Sequence, residues 1–232
     1  MEVIELSSRL HQVNLEFGQV YLWRDGDELT LVDTGTPGSG PAIESAVAAL
    51  GLTRSAVRRI IVTHGHEDHA GSVAEIRAWH GAPVYAHLAD APVVRGERRR
   101  QEPLITEFER PYWERVTELG INALTIPPAT VDVELVGGEE LDFGDGARVV
   151  AIPGHTAGSI AIHLPAHGVL FVGDTVSTLP EVGIIPGAFN VDGALLLESF
   201  RRLADLDPDI VCVGHGASVV GDAGKAMRTA LN

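Results

Sequence analysis

Apolar residues in this chain come in short runs separated by glycine-rich turns, a spacing that predicts many brief strands interleaved with helices. "VYLWRDG" and "ELTLVDTG" flank a "DGDE" turn, which predicts a hairpin. "GPAIESAVAALG" follows with helical spacing, placing Ile43, Val47 and Leu50 on one face. "VRRIIVTH" reads as a strand, "AGSVAEIRAWHG" as a helix closed by Gly81, and "PVYAH" as a further strand. The strand pattern resumes near position 131 with "VDVELVGG", "EELDFGDG", "ARVVAIPG", "SIAIHLPAHG" and "VLFVGDT". The helix "DGALLLESFRRLADL", the strand "PDIVCVGHG" and a last helix "DAGKAMRTALN" complete the chain.

Residues 92–120 break this rhythm. They are highly charged, carry Phe108, Tyr112 and Trp113, and read as an inserted helical, lid-like segment. The three aromatics are expected to pack onto the body, with Pro111 interrupting the helix between them. The "RGERRR" run at 95–100 reads as a solvated charge cluster, with docking of an anionic substrate as the alternative. No linker, low-complexity tract or solenoid repeat is visible. The two halves share a plan of strands then helix, so residues 1–232 are read as one layered α/β domain with helices outside two sheets.

Composition narrows the function classes. The 32 acids against 17 bases give a net charge of −15, which repels phosphates and argues against nucleic-acid or anionic-membrane partners. The single cysteine, Cys212, rules out an intrachain disulfide or a thiolate-rich zinc cluster and reads as a buried hydrophobe. The opening "MEVIELSSRLHQV" lacks the basic and apolar regions of a secretory leader, and no run approaches the ~18–20 apolar residues of a membrane span. A cytoplasmic protein is the expectation.

The candidate chemistry lies where predicted strands end. "THGHEDHAGS" packs His64, His66 and His69 with Glu67 and Asp68 into six positions, right after an apolar strand. His155 in "PGHTAGS", Asp174 in "FVGDT" and His215 in "VGHGAS" have the same setting, and loops at the ends of a rigid sheet commonly carry function. Residues two apart in extended chain point the same way, so His64 and His66 can address one metal. The turn that follows swings Asp68 and His69 toward a neighbouring point. Imidazole and carboxylate are ligands that Zn²⁺ accepts. Five histidines and two aspartates exceed one tetrahedral ion and suit two. His11, His80, His87, His163 and His167 lack partners in any motif and are expected to play no ligand role.

In order, "HGHEDH", "GHTAGS", "GDT" and "GHG" resemble the metallo-β-lactamase-fold superfamily, most closely its glyoxalase II-like hydrolase branch. The resemblance covers roughly residues 20–216, and "LVDTG" matches the family's early strand. It implies a four-layer αβ/βα sandwich. It implies that His64, His66 and His155 bind one metal and Asp68, His69 and His215 the other, with Asp174 bridging and Asp33 orienting a ligand. Two Zn²⁺ per chain are expected, or Fe or Mn in their place. A hydroxide between the ions would attack an activated ester-type bond (thioester, lactone or ester) of a small molecule, with Asp68 orienting the nucleophile or relaying a proton.

Substrate determinants are expected in 92–120 and 175–193. The chain ends soon after His215, where glyoxalase II enzymes carry a helical substrate-binding region, and the Gly-Arg signature often found after the bridging Asp is missing. The Tyr that lactonases place shortly after that Asp is missing too, and β-lactamases of the fold lack the bridging Asp that Asp174 matches. The alternatives are an iron-dependent oxygenase like the persulfide dioxygenases, or a β-lactam or phosphodiester hydrolase. A homodimer is compatible with the sequence.

Overall fold

The hairpin predicted at the "DGDE" turn is one step of a longer meander. In the computed structural model, which describes residues 1–231, strands β1 (Glu2–Ser7), β2 (Leu10–Asn14), β3 (Gln19–Asp25) and β4 (Glu28–Val32) pair antiparallel in sequence order. After helix α1 (Gly40–Ala49) the sheet turns parallel: β5 (Val57–Ile61) pairs with β4, then β6 (Val84–His87), then β7 (Val133–Leu135). Between β5 and β6 lie α2 (Glu67–Ala70) and α3 (Val73–Arg77), and between β6 and β7 lie α4 (Ala91–Val94) and α5 (Arg110–Glu118).

The second sheet contains β8 (Glu140–Leu141), β9 (Ala147–Ala151), β10 (Ile160–Leu164) and β11 (Val169–Phe171). A separate hairpin, β12 (Val176–Leu179) with β13 (Gly183–Pro186), follows β11, and helix α6 (Gly193–Asp205) leads to β14 (Ile210–Cys212). β15 (Val219–Val220) and α7 (Ala223–Ala230) end the described chain. The order across this sheet is β15-β14-β11-β10-β9-β8, with β11 and β14 parallel.

Three apolar clusters show how these pieces stack. Tyr21, Trp23 and Ile61 of the first sheet meet Ile162, Phe171 and Cys212 of the second in a buried layer between the sheets. The other face of the first sheet packs Leu29, Leu31 and Ile60 against Ile43 and Val47 of α1 and Val73 and Ile76 of α3. The outer face of the second packs Leu170 and Val211 against Phe200 and Leu203 of α6 and Met227 of α7. Burial of each such side chain contributes about 1.5–3 kcal/mol. The result is helix, sheet, sheet, helix, the layered sandwich expected. Among the described residues no helix is long and apolar enough to cross a membrane.

Local departures from the expected elements have physical causes. The helix expected over 70–81 starts earlier, inside the histidine motif at Glu67, and breaks at Gly71. Gly71 donates its N–H to the Gly35 carbonyl at 3.0 Å, and a Cβ there would lie 2.4 Å from Pro37, so the chain bends to let two loops touch. α6 starts as expected: Asp192 accepts from the Leu195 N–H at 3.0 Å, and Leu196, Ser199, Phe200 and Leu203 form its buried stripe. The last helix ends at Ala230; Asn232, its expected end, lies outside the described residues. Pro111 does not interrupt a helix but stands in the first turn of α5, where a missing N–H costs nothing.

The packing expected of the three aromatics holds only for Trp113. It meets Phe189 edge-on at 5.2 Å, while Phe108 and Tyr112 touch each other and stay 78% and 57% exposed.

Candidate metal centre

Every expected ligand stands just beyond the carboxyl end of a strand. His64 to His69 follow β5, His155 follows β9, Asp174 follows β11 and His215 follows β14; Asp33 follows β4. β4 and β5 are parallel, as are β11 and β14, so the loops that leave these ends gather on one edge, where open α/β sheets bind ligands. The sheets are tied there by Ile160 N–H to Thr63 O at 2.9 Å and Gln19 N–H to Gly214 O at 3.0 Å.

The seven side chains converge into three overlapping groups whose donor atoms lie within 4.8 Å of one another: His64, His66 and His155; His64, His69 and Asp174; Asp68, His69 and His215. Asp174 is central. Its Oδ2 lies 3.9 Å from His64 Nε2, 3.5 Å from His155 Nε2 and 3.2 Å from His215 Nε2, and its Oδ1 lies 3.2 Å from His69 Nε2. Asp68 Oδ2 reaches His215 Nε2 at 3.2 Å and His69 Nε2 at 3.8 Å. Gly214 makes this closeness feasible, since a Cβ there would sit 1.9 Å from Asp174 Oδ1.

A second ring of hydrogen bonds fixes which nitrogen His64, His69 and His155 present. Asp33 Oδ1 accepts from Thr63 N–H and Oδ2 from the Thr63 hydroxyl, both at 2.7 Å. With its proton committed to Asp33, Thr63 Oγ1 accepts from His64 Nδ1 at 3.1 Å. His69 Nδ1 donates to Asp33 Oδ2 at 2.8 Å, and His155 Nδ1 points at Ala188 O and Asn190 Oδ1 at 3.1 and 3.2 Å. These three rings therefore turn their Nε2 inward, the arrangement by which outer partners orient metal-binding histidines. Asp33 holds this position with φ +62, a backbone conformation that suits Asp better than most residues. The Thr34 hydroxyl adds a bond to the His69 carbonyl at 2.8 Å.

The charges divide unevenly. Burial holds His64, His66 and His155 below the ordinary imidazole range. Burial also opposes charge on His69 and His215, but Asp174 and Asp68 overcome it, raising His69 well above its usual value and pushing His215 up to about 10. Burial likewise opposes charge on Asp68 and Asp174, yet His69 and His215 hold both acids ionised. The cluster draws positive charge to itself.

The donor set fits divalent cations. His64 Nε2, His69 Nε2 and Asp174 Oδ1 are buried without an aligned hydrogen-bond partner, which is costly unless something else satisfies them. His66 Nδ1 and His155 Nε2 stand 3.0 Å apart, near the roughly 3.3 Å that two Zn–N bonds set at a tetrahedral angle. His64, His66 and His155 could hold one ion and Asp68, His69 and His215 a second, with Asp174 facing both. The five other histidines stay out of the cluster. His11 is buried in β2, and His167 pairs with Asp145 at 2.8 Å.

Two participants escaped the sequence reading. Asp90, buried at 5% exposure, accepts from Gly65 N–H at 2.8 Å and from the Thr156 hydroxyl at 2.7 Å, so one carboxylate pins the "HGHEDH" loop to the "GHTAGS" loop. Its only sequence signal is an acid three residues after a strand, which turns supply routinely. Arg100, the last residue of the "RGERRR" run, is not solvated: its side chain is 11% exposed and pairs with Glu67 at 3.3 Å. Arg95 instead pairs with Glu97 and Glu134, and Arg99 is exposed.

Known proteins share this fold. The family model described as "Metallo-beta-lactamase superfamily" matches residues 13–215. A "Probable metallo-hydrolase YflN" from Bacillus subtilis is 26% identical, the match covering 98% of this chain and 91% of the relative. A "Hydroxyacylglutathione hydrolase" from Cereibacter sphaeroides is 29% identical over 81% of this chain, which spans only 57% of that relative's length. Among solved structures, the metallo-beta-lactamase family protein TTHA1429 from Thermus thermophilus superimposes with a TM-score of 0.72 at 26% identity, covering 98% of this chain and 79% of the other. The chain belongs to the metallo-beta-lactamase superfamily.

Proposed function

We propose that this protein is a metal-dependent hydrolase with a dinuclear zinc centre that cleaves an activated ester-type bond, a thioester foremost, in a small molecule. The observation that carries the reading is the convergence of buried, inward-facing donors on two neighbouring points, with Asp174 shared between them. Cations bound there supply acidified water and polarise a carbonyl oxygen.

The protein's own part is to hold and to move protons. His64, His66 and His155 form a neutral imidazole face, kept neutral by burial. Asp68 lies on the side of the cluster that opens to solvent, beside His215, whose side chain is 39% exposed. Its ionised carboxylate is placed to orient an attacking water and pass its proton toward the leaving group. No protein nucleophile is required. The hydroxyacylglutathione hydrolases among the relatives favour a thioester.

The test is elemental analysis of the purified protein, joined to a hydrolysis screen over short thioesters, lactones, phosphodiesters and β-lactams with persulfide oxidation as the redox control. About two zinc per chain and turnover of a thioester, lactone or ester is the expected outcome. One iron per chain with persulfide oxidation would replace this reading with an oxygenase; turnover of only β-lactams or phosphodiesters would replace the substrate class.

A further inference from the structure

The rim of the centre beside His66 holds a cation that the fold leaves incompletely partnered. Glu67 is the residue between two expected ligands, and its carboxylate takes only the Nε edge of Arg100, at 3.3 Å. Among the described residues the other acid paired with the guanidinium, Glu102, is 4.0 Å away and 79% exposed. A guanidinium carries five N–H donors in a planar fork, so a largely buried one with a single long bond has donors to spare.

Arg100 is held in place from the other side. Its guanidinium lies 5.8 Å from the Trp113 ring, Trp113 meets Phe189, and Phe189 sits between Ala188 and Asn190, the two residues that His155 Nδ1 faces. These contacts form a closed circuit around one flank of the centre, from His66 and Glu67 through Arg100 and Trp113 to Phe189 and back to His155. Phe189 keeps its place with φ +59, a strained conformation for an aromatic residue, and such strain concentrates at binding sites.

We infer that the unused fork of Arg100 receives a carboxylate of the substrate, making this hydrolase specific for esters or thioesters that carry a negative charge a short reach from the scissile carbonyl. The inference rests on the hydrolase reading above and sharpens its substrate class. In a chain of net charge −15, an anionic substrate needs such a local cation to be retained. Its role is recognition: Arg100 acts on substrate affinity rather than on bond cleavage.

The test compares the zinc-loaded wild type with Arg100→Gln, Arg100→Lys and, as a control from the same run, Arg99→Gln. The substrates are a succinyl thioester, its neutral succinamyl isostere, and a matching pair with the carboxylate or amide in the thiol. The wild type and the Arg99 variant should prefer one charged member roughly 10- to 100-fold in kcat/KM, expressed in KM, as a charge-assisted bidentate pair predicts. The pair that responds tells which end of the substrate carries the charge. Arg100→Gln should erase the preference, lowering kcat/KM on the charged substrates far more than on the neutral ones; Arg100→Lys should retain part of it. Equal losses on charged and neutral substrates would reduce Arg100 to a loop fastener and overturn the inference, as would a wild type with no preference. Calorimetry with succinate against succinamate answers separately from turnover. Tighter succinate binding that disappears in Arg100→Gln supports Arg100 as the anion receptor even if the hydrolase reading fails, and indifferent binding overturns it.

Discussion

The floor of the site and the segment that flanks it are built on opposite terms. The floor is largely buried side chains at strand ends, three of them, His64, His69 and His155, fixed by an outer hydrogen bond with Thr63, Asp33 or the 188–190 loop. The flank is α5, which buries no residue, together with Phe108 and Leu104 at 78% and 73% exposure. The contacts that join the two include Arg100 to Glu67, Trp113 to Phe189, Leu104 N–H to Asn190 O, and the Glu109 carboxylate to Phe189 N–H. Dense and sparse packing are thus kept in separate parts of the molecule, and substitutions should divide along the same line.

The largest effect belongs to the floor. Asp174→Ala removes the carboxylate facing both ligand groups, so zinc content should fall to background and turnover by roughly a thousandfold or more; elemental analysis and kcat/KM on the same preparation check it. Asp33→Ala leaves all seven donors but frees His69 and the Thr63 hydroxyl, and metal affinity should drop roughly 10- to 100-fold in a chelator competition. Asp90→Ala strands the Gly65 N–H and the Thr156 hydroxyl, a loss of about 1–3 kcal/mol in denaturant unfolding. At the other end, Phe108→Ser on the exposed flank should change unfolding stability by no more than about 0.5 kcal/mol. A large loss there would show that the flank is as tightly bound as the floor.

The same division decided what could be read from the chain. The floor was legible because metal ligands recur as dense motifs at strand ends: "HGHEDH" and "GHTAGS" name five of the seven residues that converge. The layered architecture was legible from short apolar runs between glycine turns. Asp90 was not, because a single acid after a strand has the same local signature whether it caps a turn or ties two loops. Arg100 was not, because four charged neighbours in the same run hid the one side chain turned inward. The break at Gly71 comes from a contact with the Gly35 loop, far away in sequence, which helical periodicity cannot register. The β12–β13 hairpin lay in a stretch read only as substrate-determining.

The origin of the ligands carries one more consequence. Four of the seven come from the loop after β5 in the first sheet, and three from loops of the second. A cation held by both sets is a fastener between two layers that also meet through apolar packing and hydrogen bonds such as Tyr21 hydroxyl to Val213 O and Thr156 hydroxyl to Asp90. The free energy of metal binding then adds directly to the free energy of folding, by mass action. Such a protein has no single melting temperature of its own: its thermal midpoint is a readout of free metal in the solution around it, climbing with the logarithm of ion concentration and retreating under a chelator.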